Sequence, residues 1–203
     1  MRGKFIVIEG GDGAGKDTQI NLLKKELGEE QFLFVKDPGS TDIGMQIREI
    51  VLHNEAVAKP TETLLYLAAR AQMVAQIILP ALEAGKHVIS NRFSQSTVAY
   101  QIYGRERLPD YETLKIMSEF AVGEAQPDML IYLDIEPEEG LRRVHQTEET
   151  IDRFEREQLA FHERVREGYL AHLAEYNHVQ IDAAKPVEEV FKEVLERVRS
   201  VTS

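Results

Sequence analysis

Cysteine is missing from this sequence of 203 residues, and positive charge is scarce. Without cysteine, disulfide frameworks, thiolate catalysis and cysteine-ligated zinc sites are excluded. Lysine and arginine number 24 against 35 aspartate and glutamate residues, which gives a net charge of −11. Such a surface is unsuited to neutralising nucleic-acid phosphates or anionic lipid, so we expect neither nucleic acid nor a membrane as a partner. Any anionic ligand must be held by a local cluster of arginine and lysine.

A signal region, an internal repeat and a Pro/Gly-rich linker are also lacking. After Met1 the chain passes directly into an apolar run, without a small-residue cleavage site, so we expect a cytoplasmic protein from which nothing is cleaved. No apolar run is long enough to predict a membrane span. The length predicts a single domain, residues 1–203.

Five short apolar runs alternate with segments of helical periodicity, a pattern typical of a parallel α/β sheet. Because parallel strands are joined by crossover helices and are buried on both faces, the pattern predicts a doubly wound fold. Its ligand site should lie at the carboxyl ends of the strands. The predicted strands are 5–8, 32–35, 87–90, 129–133 and 179–181.

The helical segments differ in polarity. Residues 61–84 predict a long helix, with a candidate kink at Pro80, that is more apolar than one buried face requires, which favours a buried or dimer-forming helix. Residues 140–152 are polar and charged and predict either a mobile flap or a solvated helix end. A long helix over 154–176 and an amphipathic closing helix over 188–199 complete the chain.

The strongest motif follows the first strand and opens a helix. Small residues allow consecutive backbone N–H groups to converge on phosphate oxygens, the helix N-terminus adds a positive dipole, and Lys16 reaches the outer phosphates. The alternative is a Gly-rich hairpin, which the flanking strand and helix disfavour. The predicted phosphate loop consists of Gly10, Gly11, Asp12, Gly13, Ala14, Gly15 and Lys16.

One position of the loop departs from the GxxxxGK[ST] pattern. Asp17 stands where a hydroxyl normally binds magnesium, and Thr18 comes one place late. At the end of the third strand, where a carboxylate is expected to hold the metal, the chain has Asn91.

These motifs, in this order, resemble the thymidylate kinases, a family of P-loop nucleoside monophosphate kinases. The resemblance extends from Lys4 to about Arg199. Besides the loop block, EGGDGAGKDTQ (9–19), six further blocks make it more specific than the loop alone. They are DPGSTDIGMQIR (37–48), LLYLAARAQ (64–72), NRFSQSTVAYQ (91–101), PDMLIYLDI (127–135), DRFE (152–155) and IDA (181–183).

The resemblance implies a P-loop NTPase-type, five-stranded parallel sheet flanked by helices, with a small mobile lid at about 140–153. It implies Mg²⁺-dependent transfer of the ATP γ-phosphate to dTMP, giving dTDP and ADP for dTTP biosynthesis, by a homodimer. Residues 10–18, including Thr18, would bind ATP. The implied catalytic residues are Asp12, Lys16, Arg92 and Arg143. We take Asp17 and Asn91, which depart from the family's pattern, as the candidate metal ligands.

The resemblance also implies an acceptor site. Arg48, Arg70 and Arg92 would grip the dTMP phosphate, although each could instead form a surface ion pair. Tyr66 would stack on thymine, where the alternative is a core tyrosine. Tyr100 would lie against the deoxyribose. The full set of implied acceptor-binding residues is Asp37, Pro38, Arg48, Tyr66, Arg70, Arg92, Ser96, Thr97, Tyr100 and Gln101.

The two departures at the metal site suggest a reciprocal exchange, in which Asp17 supplies the carboxylate that Asn91 lacks. A second pair of departures, Lys36 and Asp37, replaces the family's usual arginine and glutamate before Pro38. In the flap, Arg143 is the candidate lid residue, and Arg153 is a candidate phosphate or structural contact. Asp12 is a candidate for the acceptor sugar or the metal shell, with loop capping as the alternative.

Two other interpretations remain open: a related kinase with a different acceptor, and a catalytically weakened module that only binds nucleotide. The six histidines show no ligand spacing, and none is assigned to catalysis.

Overall fold

Five parallel strands form one sheet between two layers of helices in the computed structural model, which describes residues 2–105, 110–147 and 152–202. The spatial order is β2-β3-β1-β4-β5, which confirms the predicted doubly wound sheet. All five strands run past the predicted apolar runs, because backbone pairing continues where side chains become polar, as at Glu9 and Asn91. The strands are β1 Phe5–Gly10, β2 Phe32–Lys36, β3 His87–Asn91, β4 Met129–Asp134 and β5 His178–Asp182.

The helices connect these strands and cover both faces of the sheet. In chain order they are α1 Lys16–Leu27, α2 Asp42–His53, α3 Lys59–Met73, α4 Leu79–Glu83, α5 Ser94–Thr97, α6 Tyr111–Val122, α7 Pro137–Thr147, α8 Leu159–His172 and α9 Val187–Thr202. Wide π-helical turns at Val74–Ile78 and Val98–Gly104 follow α3 and α5.

Alternate side chains of β1 enter opposite apolar clusters, as the period of a strand requires. One cluster joins the sheet to α1 and α9, and the other joins it to the α3–α4 layer. The first includes Ile6, Ile8, Leu23, Val190 and Val194, and the second includes Phe5, Val7, Met73, Ile78 and Leu82. The fixed backbone between them places the β1 carboxyl end, where the phosphate loop begins, at the middle of the sheet.

The predicted long helix is continuous from Lys59 to Glu83 and contains a wide turn just before Pro80. A proline ring clashes with the carbonyl four residues earlier, and the extra residue of a π turn relieves that clash. By length and composition this segment is apolar enough to cross a membrane, although no membrane span was predicted from the sequence. Core helices pass the same test, and this one carries Glu62 and Arg70 at buried positions.

The predicted helix over 154–176 is shorter than expected. The Oδ1 atom of Asp152 accepts hydrogen bonds from the backbone N–H groups of Phe154 (2.7 Å) and Glu155 (3.0 Å). This side-chain turn competes with helix formation, so α8 begins only at Leu159. Of the predicted lid region, residues 140–147 lie in α7, and 148–151 lie outside the described residues; the mobility of the lid stays a prediction.

Candidate active site

A cavity of about 1160 Å³ opens at the carboxyl ends of the strands, where the sequence placed the ligand site. Phosphate-loop residues line one end, and side chains from α3, β3 and the helical turn after it line the other. The structure brings nearly all the predicted site residues to this cavity: Asp12, Gly13, Ala14, Gly15, Lys16, Asp17, Thr18, Asp37, Pro38, Arg48, Tyr66, Arg70, Asn91, Arg92, Ser96, Thr97, Tyr100, Gln101 and Arg143. Gly10 and Gly11 form the start of the loop behind it.

The phosphate loop depends on glycine at two positions. Gly13 has a φ of 73°, and a Cβ atom there would lie 2.0 Å from the carbonyl oxygen of Gly140 in α7. Gly15 has a φ of 83° and precedes α1 without a side-chain cap. The first-turn N–H groups of α1 therefore remain as donors for an anion, as at other helix N-termini.

Lys16 folds back onto this loop. Its Nζ atom donates hydrogen bonds to the carbonyl oxygens of Gly10 (2.9 Å) and Gly11 (2.7 Å). Burial, together with the nearby Arg92 guanidinium, lowers the pKa of Lys16 to about 7. A phosphate group brought into the loop would supply the negative charge that the Lys16 ammonium group needs.

Asp17 and Asn91, the two residues of the proposed exchange, are in direct contact. The Nδ2 atom of Asn91 donates to Oδ1 of Asp17 at 2.8 Å, and Nζ of Lys36 lies 3.2 Å from the same oxygen. Burial alone would raise the pKa of Asp17, but Lys36 and Lys16 hold it below its usual value. The sequence did not predict that Lys36 neutralises Asp17. The only signal was that both positions depart from the family pattern.

Arg92 links the two ends of the cavity. Its φ of 69° is in the left-handed region, and its guanidinium group donates to Oδ1 of Asp12 at 2.7 Å and to the hydroxyl of Tyr100 at 2.9 Å. A third bond reaches the carbonyl oxygen of Gly10 at 3.1 Å. Burial would raise the pKa of Asp12, but Arg92 and Lys16 hold it below the usual value. Asp12 thus orients Arg92, a role that the sequence did not assign to it.

Glu9 supports this arrangement from the sheet and was not predicted as a site residue. It is fully buried and accepts hydrogen bonds from the N–H of Phe93 (2.8 Å), the hydroxyl of Ser96 (2.7 Å) and the hydroxyl of Tyr169 (3.0 Å). Burial raises the pKa of Glu9, and Arg92 offsets part of that shift. Its signal was present in the EGGDG sequence, where a charged residue ends an apolar strand.

Arg70 is buried more deeply than its sequence position predicted. It is 1% exposed, and Nε donates to Oδ2 of Asp37 at 2.6 Å while Nη2 donates to Oγ1 of Thr97 at 2.8 Å. Burial raises the pKa of Asp37, and Arg70 offsets part of that shift. Within the described part of the chain, Nη1 of Arg70 has no hydrogen-bond partner. Arg48 donates to the carbonyl oxygen of Pro38 at 3.3 Å. The role of both arginines toward a phosphate stays a prediction.

Glu62, in α3, connects the side of the cavity away from the phosphate loop to Arg153, at the end of the predicted lid region. It is 1% exposed and accepts hydrogen bonds from Nε2 of Gln101 (3.1 Å), from Nε of Arg105 (3.3 Å) and from Arg153. Arg153 therefore makes a structural contact here. Glu62 was not predicted, although its place one turn before Tyr66 was a usable signal.

Arg143, the predicted lid residue, reaches the loop after β5. Its Nη1 atom donates to the carbonyl oxygen of Ala183 at 2.9 Å, and its Nε donates to Glu139 at 2.8 Å. This position is on the phosphate-loop side of the cavity.

His162 was expected to be structural or at the surface, and the structure buries it beside the site. Its Nδ1 atom lies 3.7 Å from Oδ2 of Asp12, and burial lowers its pKa.

Comparisons with known proteins agree with this geometry. The thymidylate kinase family model matches residues 8–194. The chain is 44% identical over 197 residues to a thymidylate kinase of Carboxydothermus hydrogenoformans, covering 96% of each chain. It is 40% identical over 200 residues to that of Clostridium novyi, covering 95% of this chain and 97% of the relative. For Nitratidesulfovibrio vulgaris the identity is 42% over 213 residues, covering 98% and 97%. With its family motifs gathered around one cavity, the chain belongs to the thymidylate kinase family.

Proposed function

We propose that this protein transfers the terminal phosphoryl group of ATP to the phosphate of dTMP, giving ADP and dTDP. The observation that carries the proposal is that one cavity has a phosphate loop at one end and an acceptor pocket at the other, with Arg92 between them. The pocket combines the aromatic ring of Tyr66 with the polar side chains of Thr97 and Gln101, as binding of a nucleobase requires.

The residues act by positioning and charge neutralisation. Loop N–H groups and Lys16 hold the ATP phosphates, and Arg92, fixed by Asp12, holds the acceptor phosphate against them. An oxygen of the dTMP phosphate forms a bond to the γ-phosphorus as the bond from that phosphorus to the bridging oxygen of ADP breaks. Arg143, on α7, would contribute positive charge when the lid region closes and excludes water. No side chain acts as a nucleophile.

A magnesium ion fits the side chains at the loop. Asp17 offers carboxylate oxygens, and Oδ1 of Asn91 is buried without a hydrogen-bond partner in the described ranges. Both are oxygen ligands of the kind that Mg²⁺ takes, directly or through water, beside substrate phosphates. The described residues include no cluster of three or more carboxylates, histidines or cysteines, so we propose Asp17 and Asn91 as the protein's share of the site. When bound, magnesium neutralises phosphate charge.

The exchange at this site is tested by reverting one or both residues. We expect Asp17→Thr alone to weaken Mn²⁺ binding to the ADP complex by about tenfold, and Asp17→Thr with Asn91→Asp to restore it, because one carboxylate then remains. Electron paramagnetic resonance counts the bound Mn²⁺ independently of turnover, and ADP release measures activity in parallel. Equal damage in the single and double variants would refute the exchange.

The acceptor is tested by ADP release from ATP and Mg²⁺ with dTMP, dUMP, dCMP, dGMP, thymidine or no acceptor. We expect dTMP to give the highest kcat/KM. Preference for another monophosphate would keep the mechanism and change the substrate. ATP binding without acceptor-dependent turnover would favour the weakened nucleotide-binding module.

We further propose a homodimer formed through α3 and α6, and a cytoplasmic location. Large apolar side chains stand exposed on these two packed helices: Leu64 is 54% exposed, Ile116 66% and Phe120 91%. A second copy would cover them. We expect wild-type protein to sediment as a dimer and Phe120→Glu to shift it to monomer; a wild-type monomer at micromolar concentration would contradict the proposal.

A further inference from the structure

Two side chains one helical turn apart, Thr97 and Gln101, line the part of the cavity that the proposed function assigns to the nucleobase. Each has a hydroxyl or amide that could donate or accept a hydrogen bond. Each also contacts a buried charged side chain of α3, namely Arg70 and Glu62. Because each contact uses either the donor or the acceptor of the side chain, it determines which of the two remains available to a ligand.

Glu62 decides the orientation of the Gln101 amide. A carboxylate that already accepts from Arg105 and Arg153 offers an acceptor atom to Gln101, so the Gln101 atom that lies 3.1 Å from Oε1 of Glu62 is the NH₂ group. The Gln101 carbonyl oxygen, Oε1, makes no hydrogen bond to any residue that the structure describes. It is therefore left as an acceptor in a side chain that lines the cavity.

Arg70 decides the role of the Thr97 hydroxyl in the same way. A guanidinium can only donate, so the oxygen of Thr97 accepts from Nη2 of Arg70 at 2.8 Å. The hydroxyl proton of Thr97 remains for a ligand. The pocket then presents a donor at Thr97 next to an acceptor at Gln101.

We infer that Glu62 is a positioning residue that sets base specificity through Gln101. A donor beside an acceptor matches the edge of thymine or uracil, where a carbonyl oxygen adjoins the N3–H group. Cytosine presents the reverse, an amino group beside an unprotonated N3. Its amino group would then face the Thr97 donor, and its N3 would face the Gln101 acceptor. This inference rests on the proposed function and explains how the protein selects thymine and uracil nucleotides over cytosine nucleotides.

The position of Glu62 suits this role. It is 1% exposed and is held by Arg105 and Arg153 in addition to Gln101. Arg105 in turn lies over the ring of Phe154, with 4.8 Å from its guanidinium carbon to the ring centre. The carboxylate is thus fixed from three sides, and rotation of the Gln101 amide would place an acceptor against it, which costs a buried hydrogen bond.

The test compares Glu62→Met with the matched control Arg105→Met. Both remove the Glu62–Arg105 pair, but only the first removes the partner that orients Gln101. Isothermal titration calorimetry with dTMP, dUMP and dCMP gives affinities in the absence of ATP. We expect wild-type protein to bind dTMP and dUMP at least about 100-fold tighter than dCMP. In Glu62→Met that ratio should fall by about tenfold or more, and in Arg105→Met it should stay within about twofold.

The outcomes separate the inference from the proposed function. If the folded Glu62→Met variant keeps the wild-type ratio, or if wild-type protein binds dCMP as well as dTMP, the inference is wrong while monophosphate binding stands. If wild-type protein binds none of the three, the proposed function fails and the inference with it. Circular dichroism establishes folding of the variant. Should Glu62→Met not fold, dTMP methylated at N3 decides with wild-type protein: a loss of about 100-fold supports an acceptor at Gln101, and unchanged affinity overturns it.

Discussion

The charged side chains at the two ends of the cavity differ in how far they are exposed to solvent. At the phosphate-loop end, Asp17 and Lys36 meet as an ion pair whose side chains are 69% and 42% exposed. At the acceptor end, Glu9, Glu62 and Arg70 are at most 1% exposed, and each is held by several hydrogen bonds. Exposed pairs contribute little and re-form with new partners, whereas a buried charge cannot lose its partner cheaply. The exposed end can therefore exchange side chains, and the buried end can preset the orientation of the groups that meet the ligand.

Arg92 joins the two ends, so its removal should have the largest effect. Arg92→Met takes away the hydrogen bonds to Asp12 and Tyr100 and leaves the partly buried Asp12 carboxylate without its arginine partner. We expect kcat/KM for dTMP to fall by about 1000-fold, because the charge that holds the acceptor phosphate is lost. Coupled measurement of ADP release gives this value.

The control for Arg92 is Arg142→Met. Arg142 is an exposed residue of α7 that pairs with Glu139, three positions earlier, and we expect its replacement to change kcat/KM by less than twofold. Calorimetry with ATP completes the comparison. A parallel loss of ATP affinity in Arg92→Met would show that Arg92 serves the donor end rather than the connection between ends.

Gly13→Ala should distort the phosphate loop, because it changes the backbone geometry and removes no polar group. The added Cβ atom would lie 2.0 Å from the carbonyl oxygen of Gly140 and at a φ of 73°, so the loop must move away from α7. We expect the free energy of unfolding to fall by about 2–3 kcal/mol, seen as a drop of about 5–10 °C in Tm. In Gly11→Ala the Cβ meets nothing within 4 Å, and the change in Tm should be small. Equal Tm values for the two variants would mean that the loop is not held against α7.

The same contrast explains what the sequence could predict. The phosphate loop could be predicted because its chemistry lies in seven consecutive residues, and the sheet was predicted correctly because buried parallel strands have continuous apolar runs. Glu9 and Glu62 were missed because their partners are 87 and 39 residues away in the chain, and no local pattern encodes such contacts. Helix 154–176 was overextended because the Asp152 turn overrides an otherwise helical composition.

The pH dependence of stability provides a further test of the phosphate-loop end, through the protonation of Lys16. Its pKa is lowered to about 7, from 10.5, so between these values the unfolded chain binds a proton that the native protein lacks. Stability therefore rises with pH over this window, and the cost of burying the charged lysine is greatest below about pH 7. We expect wild-type Tm, relative to Lys16→Met, to increase from pH 7 to pH 9 without ligand.

Binding of ATP should reverse this effect, because phosphate charge raises the pKa of Lys16 again. At pH 8 we expect uptake of a fraction of a proton per ATP bound, seen as different apparent binding enthalpies in two buffers of unequal ionisation enthalpy. Lys24→Met, on the exposed side of α1, should leave that uptake unchanged. Absence of proton uptake in wild-type protein would show that Lys16 is already charged in the free site.

Replacement of Tyr66 should have the smallest effect on catalysis. It tests whether every side chain at the acceptor end of the cavity is fixed by hydrogen bonds. Its hydroxyl makes no hydrogen bond to a described residue, and its ring centre lies 6.4 Å from that of Phe154. We expect Tyr66→Phe to change the KM for dTMP by less than about twofold, because the stacking face is kept. Tyr100→Phe is the matched comparison, since it loses bonds to Arg92 and Asp12, and its KM should rise by about tenfold. Steady-state kinetics at saturating ATP measures both. A tenfold rise for Tyr66→Phe would place its hydroxyl in base recognition, and the pocket would then read the base with three polar groups instead of two.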